Sequence, residues 1–368
     1  MKILCDKTLL MSGINHVSRA VASNSTMDLL ECILIESIGE DKIRLTANDT
    51  ELGIETVLDA QVIMSGKIAL KARLFSDMIR KLPDSEVEIE SDENGKTSIR
   101  CEHVFFAMMG LSGDDFTLLP EIERDKKVEI SQFDLKEIIR QTIFSVSANA
   151  NNKIMTGELF HIEGNTLTVT ALDVHRIAIR KCILSSSYDT MEVIVPGKTL
   201  TEIMKILPGD AEKTVNIYIT ERHILFEIEN TLVVSRLLQG KFYDLGRMLS
   251  ADYETKIIVN KKDFLQCLDR ATLLTSESEK RPVILQLEDE TMSMRINAPI
   301  GQMNDRLDIS REGKDIRIGF DPRFLVDALR VIDEEEVSIY MMNPIAPCII
   351  KNQEESYYYM ILPINVNS

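Results

Sequence analysis

The sequence predicts an α+β protein made of three repeats of one unit, each with two helices packed on antiparallel sheets. Three observations carry that reading. A helical pattern occurs three times at a constant spacing of 125 residues: KARLFSDMIRKLP with Arg73, Asp77 and Arg80, GKTLTEIMKILP with Lys198, Glu202 and Lys205, and DPRFLVDALRVID with Arg323, Asp327 and Arg330. The order of strands and helices around it restarts twice, giving units at 1–125, 126–250 and 251–368. A chain of 368 residues also exceeds what one core usually serves.

In the first unit MKILCD reads as a strand and residues 8–21 as a helix, with Leu10, Ile14, Val17 and Val21 on one face. SNSTMD is a loop, and residues 32–37, 42–48 and 51–60 form a meander of strands. The patterned helix follows. Each helical residue advances about 100°, so its basic, acidic and basic positions share one face, with Phe75, Met78, Ile79 and Leu82 opposite. Pro83 stops it. EVEIES, TSIRCE and VFFAMM close the unit, and GDDFTLLPEIERDKK marks its boundary.

The second unit repeats this with a strand at VEISQF, a helix over 135–146, and strands at TGELFHIE, TLTVTAL and HRIAIRKCIL. The second patterned helix buries Leu200, Ile203, Met204 and Leu207 and ends at Pro208; NIYIT, HILFEIE and TLVVSRLL follow, then the connector GKFYDLGRMLS. The third unit runs from TKIIVN through a helix over 263–274 and strands VILQLED, TMSMRIN and DRLDIS. Its patterned helix buries Leu325, Ala328, Leu329 and Ile332, and VSIYMM, CIIKN and YYYMILPI finish the chain.

One such helix alone is an amphipathic surface element with weak ion pairs on its wet side. Three in register would gather their basic residues on a shared surface. That matters because the net charge is −17, which speaks against simple nucleic-acid binding unless positive charge is segregated. No apolar run reaches the roughly 18 residues of a membrane span, and Asp6 and Lys7 interrupt any signal-peptide core, so a cytoplasmic protein is expected. The six cysteines are scattered without a CxxC pair, which excludes a zinc site or disulfide framework on spacing. No phosphate-binding glycine loop, GxSxG elbow or HExxH is present.

TALDVHRIAIRK is the most conspicuous stretch. A hydrolase would make His175 a general base oriented by Asp173, but no nucleophile stands in a recognisable motif. The competing readings are a structural histidine and a binding surface of Leu172, Val174 and Ile177 among polar groups. The terminal YYYMILPIN is apolar almost to its last residue, as a buried edge strand or the wall of an apolar groove.

Together these residues resemble the bacterial DNA polymerase III beta subunit family, the replication sliding clamps. The likeness spans the whole chain: the threefold repeat, the Leu-Pro helix stops, ALDVHRIAIRK (similar to the family's ATDGHRLA), GKFYDLGRML (similar to GRFPDYRRVLP) and MILPI (similar to VMPMR). The resemblance implies the DNA clamp fold, with two chains joined head to tail as a homodimeric ring of six domains, helices lining the hole. It implies a non-catalytic processivity factor without cofactor or metal, sliding on double-stranded DNA by sequence-independent backbone contacts. Arg73, Arg80, Lys198, Lys205, Arg323 and Arg330 are the residues expected to face DNA. Asn24 stands where some relatives carry a basic contact.

The family's partners would be the DNA polymerase III catalytic subunit, the clamp loader, other polymerases, mismatch-repair proteins and ligase, each binding through a short peptide. Carried over by motif position, the peptide groove would be lined by Met155, Leu172, Val174, His175, Arg176, Ile177, Tyr243, Arg247, Met248, Phe324, Ile345, Pro347, Met360, Leu362, Pro363 and Ile364. Val174 replaces a glycine, Leu172 a threonine, Tyr243 a proline and Asn365 an arginine, which implies a narrower, less basic groove. The seam between copies would use Phe106 and Met108 against Leu273 and Leu274, with Asp305 the one acid in its stretch. The alternative is a repeat-built peptide-binding scaffold that never encloses DNA.

Overall fold

The computed structural model describes residues 1–149, 151–246, 252–275 and 281–365. Its chain divides into two units, Met1–Phe133 with Glu202–Leu237, and Asp134–Thr201 with Leu238–Ser368. Six α-helices occur among the described residues: α1 (Lys7–Val17), α2 (Ala72–Lys81), α3 (Gln132–Arg140), α4 (Gly197–Ile206), α5 (Lys261–Thr272) and α6 (Pro322–Val331).

The first unit holds two antiparallel sheets. One has five strands in the order 61–64, 2–6, 86–91, 96–101 and 104–109; the other has nine, in the order 111–112, 67–71, 32–38, 42–48, 52–59, 231–236, 223–228, 214–219 and 127–131. The nine-stranded sheet is continuous between the first two repeats through the pairing of 52–59 with 231–236, Ile54 opposite Val233. Helix α1 starts where the Asp6 carboxylate accepts the Thr8 and Leu9 amides at 2.8 and 3.0 Å. Its Leu10, Ile14 and Val17 and the Phe75 and Ile79 of α2 are fully buried, each worth about 1.5–3 kcal/mol in apolar burial. A Cβ on Gly13 would stand 2.6 Å from Leu58 Cδ1, so only glycine lets α1 lie this close to the sheet.

The second unit repeats the plan. A seven-stranded sheet runs 157–172, 176–196, 357–361, 348–351, 336–341, 255–260 and 310–313, and a four-stranded sheet runs 301–308, 291–298, 283–288 and 316–320. Strand 176–196 pairs with 357–361, Ile177 opposite Met360, and so joins the second repeat to the third. Phe264, Cys267 and Leu268 of α5 and Leu325, Ala328 and Leu329 of α6 fill one core with the strands. Asp321 caps α6, accepting the Arg323 amide at 3.0 Å, with Pro322 in the first turn.

Some elements differ from the sequence reading. Residues 157–172 form one bent strand, because Gly164 (φ 58°) sits at a bulge between two stretches paired to the same neighbour. Strand 176–196 runs through the polar SSSYDTMEV, whose pairing is set by its partner strand rather than by its own composition. Helix α3 stops at Arg140 instead of 146: Thr142 leaves helical geometry at φ −127°. Glu158, read as an ordinary strand residue, has no exposed surface.

Candidate nucleic-acid interface and peptide groove

The basic residues of α2 and α4 stand in solvent, each helix pinned to its sheet by its opposite face. Arg80 donates to Asp77 Oδ1 at 3.1 Å and to Ser76 Oγ at 3.2 Å, while Arg73 is exposed. Lys198 and Lys205 are exposed, and Lys205 Nζ lies 2.8 Å from Glu202 Oε1. Arg19 Nη1 also donates to Glu202, at 3.1 Å. Burial would raise the Glu202 carboxyl, but the hydrogen bonds from Lys205 and Arg19 outweigh it and hold it below the usual range. On α6 only Arg330 is exposed, 3.1 Å from Asp269. Arg323 is half-buried, its Nε and Nη2 on the two Asp321 oxygens at 3.1 and 2.8 Å. The three stripes share a sequence pattern and not an ion-pair pattern.

Beside α2 a cleft of about 470 Å³ is lined by Ser23, Asn24, Lys71, Arg73, Ser76 and Arg80 among others. Lys71 is held by Asp28 and Glu31 at 2.6 and 3.1 Å, and Asp77, which also lines the cleft, holds Arg80.

In the second unit Leu172, Ile177 and Met360 are neighbours across three adjacent strands and all are buried. They form one apolar cluster with Ile179, Ile194 and Phe242, against which Met155, Leu159, Leu238, Leu245 and Tyr358 pack. The turn at 173–175 stands over this cluster. Val174 is 68% exposed at its tip. His175 stacks on Phe324 with ring centroids 5.7 Å apart, and its carbonyl accepts the Leu362 amide at 2.8 Å. Ile364 bonds to the Gly319 carbonyl at 2.8 Å, so the terminal segment is held along the sheet with Leu362 and Pro363 half-buried between these two bonds. Pro347 is half-buried just before Cys348, whose strand partner is Ile361, and Ile345 is 77% exposed in the same loop. Arg247 and Met248 lie outside the described residues.

Two expected groove residues have bonded partners within the chain. Arg176 donates to Asp173 Oδ2 at 3.0 Å, to Asp327 Oδ2 at 2.6 Å and to the Phe144 carbonyl. Its guanidinium also lies 4.6 Å from the Phe324 ring centre. The residue fastens the turn to α6, and it draws Asp327 away from the helix's own arginines. Tyr243 is 42% exposed with its hydroxyl on Asn152, while the neighbouring Phe242 is the buried anchor. Asp173 Oδ1 accepts the backbone amides of His175 and Arg176, at 2.7 and 3.0 Å, so it does not orient the imidazole as a general base.

The proposed seam residues sit on edges. Strand 104–109 ends the five-stranded sheet, with Met108 buried, Phe106 half-buried, and Phe105 and Met109 exposed. Strand 301–308 ends the four-stranded sheet. Leu273 is 77% exposed after α5, whereas Leu274 packs on its own core. Asp305 is bonded to Arg270 Nε at 2.9 Å; a Cys267 hydrogen bond first and the arginine second hold its carboxyl below the usual range. No group of metal-ligating side chains and no helix long and apolar enough to cross a membrane occurs among the described residues.

Three family models match in order: the DNA polymerase III beta subunit N-terminal domain over residues 1–120, the central domain over 129–244 and the C-terminal domain over 246–365. The beta sliding clamp of Bacillus subtilis (strain 168) is 35% identical over 99% of both chains. A crystal structure of a DNA polymerase III beta subunit from Eubacterium rectale ATCC 33656 superposes with a TM-score of 0.96 at 54% identity, covering 100% of both chains. A sliding clamp from Bartonella birtlesii bound to griselimycin gives a TM-score of 0.93 at 26% identity, again over 100% of both.

Proposed function

The chain belongs to the DNA polymerase III beta subunit family, and from that premise we propose that two copies close head to tail around duplex DNA as a sliding clamp. The observation that carries this is a recurring join. The strand 52–59 of the first repeat pairs with the last strand of the second, 231–236, and the corresponding strand 176–196 of the second pairs with the last of the third, 357–361. The same two positions in the third and first repeats are 301–308 and 104–109, and each ends its sheet with an unpaired edge. Such an edge offers a row of unpaired backbone groups to which another strand can pair. A second copy supplies it twice over by two-fold symmetry, which closes the assembly.

In this reading 1–125, 126–250 and 251–368 are the three clamp domains, and Phe106, Met108, Leu273 and Leu274 lie at the seam. Arg73, Arg80, Lys198, Lys205, Arg323 and Arg330 face the DNA, with Arg323 the weakest contributor because Asp321 already holds it. Retention by topology removes the need for tight contacts, so an acidic chain can work on a polyanion. The Leu172–Ile177–Met360 cluster with Phe242, His175, Phe324 and Leu362 is the groove that receives peptides of the polymerase, the loader and repair proteins in the bacterial cytoplasm. The chain itself performs no chemistry; a separate loader would use ATP.

Light scattering of the full chain is expected to give twice the mass of one chain at micromolar concentration. After loading, the protein should stay on nicked circular DNA and run off when the circle is linearised. A monomer, or equal loss from both DNAs, would overturn the clamp and favour a scaffold that never encloses DNA.

A further inference from the structure

Behind Phe242 the same sheet face carries a second compartment of about 670 Å³, between strands 157–172 and 176–196 and the connector residues 241–246. That volume is in the range of sites that hold drug-sized ligands or several residues of a peptide. Its floor is Leu159, Ile179 and Leu245, and Phe242 is the wall it shares with the groove cluster.

The space exists because of a substitution between repeats. Arg44 stands four residues before the end of its strand at Asn48, and Thr168 stands four residues before Leu172 at the counterpart end. Arg44 lies across its sheet face on Glu36 and Glu55 at 3.4 and 3.2 Å. With Thr168 in place of the arginine and Ile179 in place of Glu55, nothing comparable covers the second sheet face.

The cavity is lined by three lysines and three carboxylates, which differ in how they are held. Glu355 is held by Lys351 at 2.6 Å, Glu192 faces His161 at 3.8 Å, and Asp244 accepts the Gly246 amide at 3.0 Å. Lys181 and Lys241, by contrast, line it with no ion-pair partner among the described residues. Tyr358 lines it too, and its hydroxyl is buried without a hydrogen-bond partner among the described residues. A buried hydroxyl left unpaired is costly, and an acceptor from a ligand would relieve it.

We propose that this cavity is a second subsite of the peptide groove, which takes an acidic and apolar flank of a bound partner peptide, its carboxylates on Lys181 and Lys241 and an aromatic or aliphatic side chain on Ile179 and Leu245. Continuity fixes the occupant. Leu172 and Thr170 are two residues apart on the same strand face, about 7 Å, so two extended residues carry a peptide from groove to cavity. The inference rests on the groove reading above.

Its test uses the full-length dimer and fluorescein-labelled synthetic peptides read by anisotropy. A pentapeptide Ser-Leu-Ser-Leu-Phe probes the groove; two longer peptides add Trp-Asp-Glu at its N-terminal or its C-terminal end. One extended peptide is expected to bind at least tenfold tighter than the pentapeptide. The gain should vanish in Lys181→Glu with Lys241→Glu, and independently in Thr168→Arg, which refills the cavity, while pentapeptide affinity is unchanged in both. A gain below twofold at both ends, or a gain that survives both variants, overturns the subsite and leaves the groove standing. No binding of the pentapeptide at all overturns the groove reading itself and this inference with it.

Discussion

Replacing Leu273 by Ala offers a quantitative test of the seam. The side chain is 77% exposed in the single chain, so its own fold gains little from it. Complete burial of a leucine is worth about 1.5–3 kcal/mol, and covering the exposed fraction about 1.2–2.3 kcal/mol. A head-to-tail dimer has two seams, each with one Leu273, so the loss on truncation is about 2.3–4.6 kcal/mol. That corresponds to a dissociation constant raised about 50- to 2,500-fold. Alanine keeps the Cβ, so the lower half of that range is expected. Sedimentation velocity from nanomolar to micromolar concentration measures it, with the thermal unfolding of the chain as control. Leu274 packs on its own core, and Leu274→Ala should lower the unfolding temperature as well. A dissociation constant for Leu273→Ala within threefold of the parent would refute the seam and, with it, the join that carries the clamp reading.

Further expectations follow from the same geometry. Arg80→Glu with Lys198→Glu should shorten residence on circular DNA several-fold with unchanged unfolding; normal residence removes the helical stripes from the DNA contact. Arg176→Lys loses the planar fork shared by Asp173, Asp327 and the Phe144 carbonyl, and should destabilise the chain by about 2 kcal/mol or more in urea titration. Glu158 is fully buried with neither carboxyl oxygen hydrogen-bonded among the described residues, and burial pushes its carboxyl well above the usual range. Between the ordinary glutamate range and its raised folded value, the folded chain therefore holds a proton that the unfolded chain releases. Stability should fall as pH rises from the ordinary glutamate range toward the folded value, by up to about 1.4 kcal/mol per pH unit. Glu158→Gln should flatten this dependence and gain stability at pH 8 relative to pH 5; an unchanged slope would refute the assignment.

Period and punctuation made the helices legible, with apolar positions on one face and Pro83 as a stop, while the Asp6 and Asp321 caps emerged only from the structure. The meander strands were legible from alternation. What escaped was set by partners distant in the chain. Residues 185–190 have no strand signal, yet they continue strand 176–196 within the hairpin it forms with 157–172. Glu158 read as an ordinary strand residue because nothing in its own stretch marks it as fully buried. Motif likeness picked out Leu172, Ile177 and Met360, which meet in one apolar cluster, but a motif records identity and could not show that the Arg176 donors are already held by Asp173, Asp327 and the Phe144 carbonyl. Phe242 was missed for the same reason.

Ion pairing on the stripes bears on how a clamp would meet DNA. Arg80, Lys205, Arg323 and Arg330 each already hold a carboxylate, and the contacts run from 2.8 to 3.1 Å. A phosphate arriving at such a cation displaces a tethered acid and not a free ion. Counterion release, which gives ordinary DNA binders a slope of about −0.9 per neutralised phosphate in log K against log salt, is then largely absent at those four positions. Arg73 is the exception: it is exposed, and no ion pair holds it among the described residues. The direct affinity of the unloaded protein for duplex DNA should therefore be weak, with a salt slope far shallower than six cations would give. Replacing Asp77 and Glu202 by Asn and Gln should steepen the slope and slow diffusion of the loaded clamp along DNA in single-molecule tracking. If the acids serve only helix stability, both quantities will stay unchanged while unfolding shifts, and the idea that paired carboxylates keep the DNA contact loose must be abandoned.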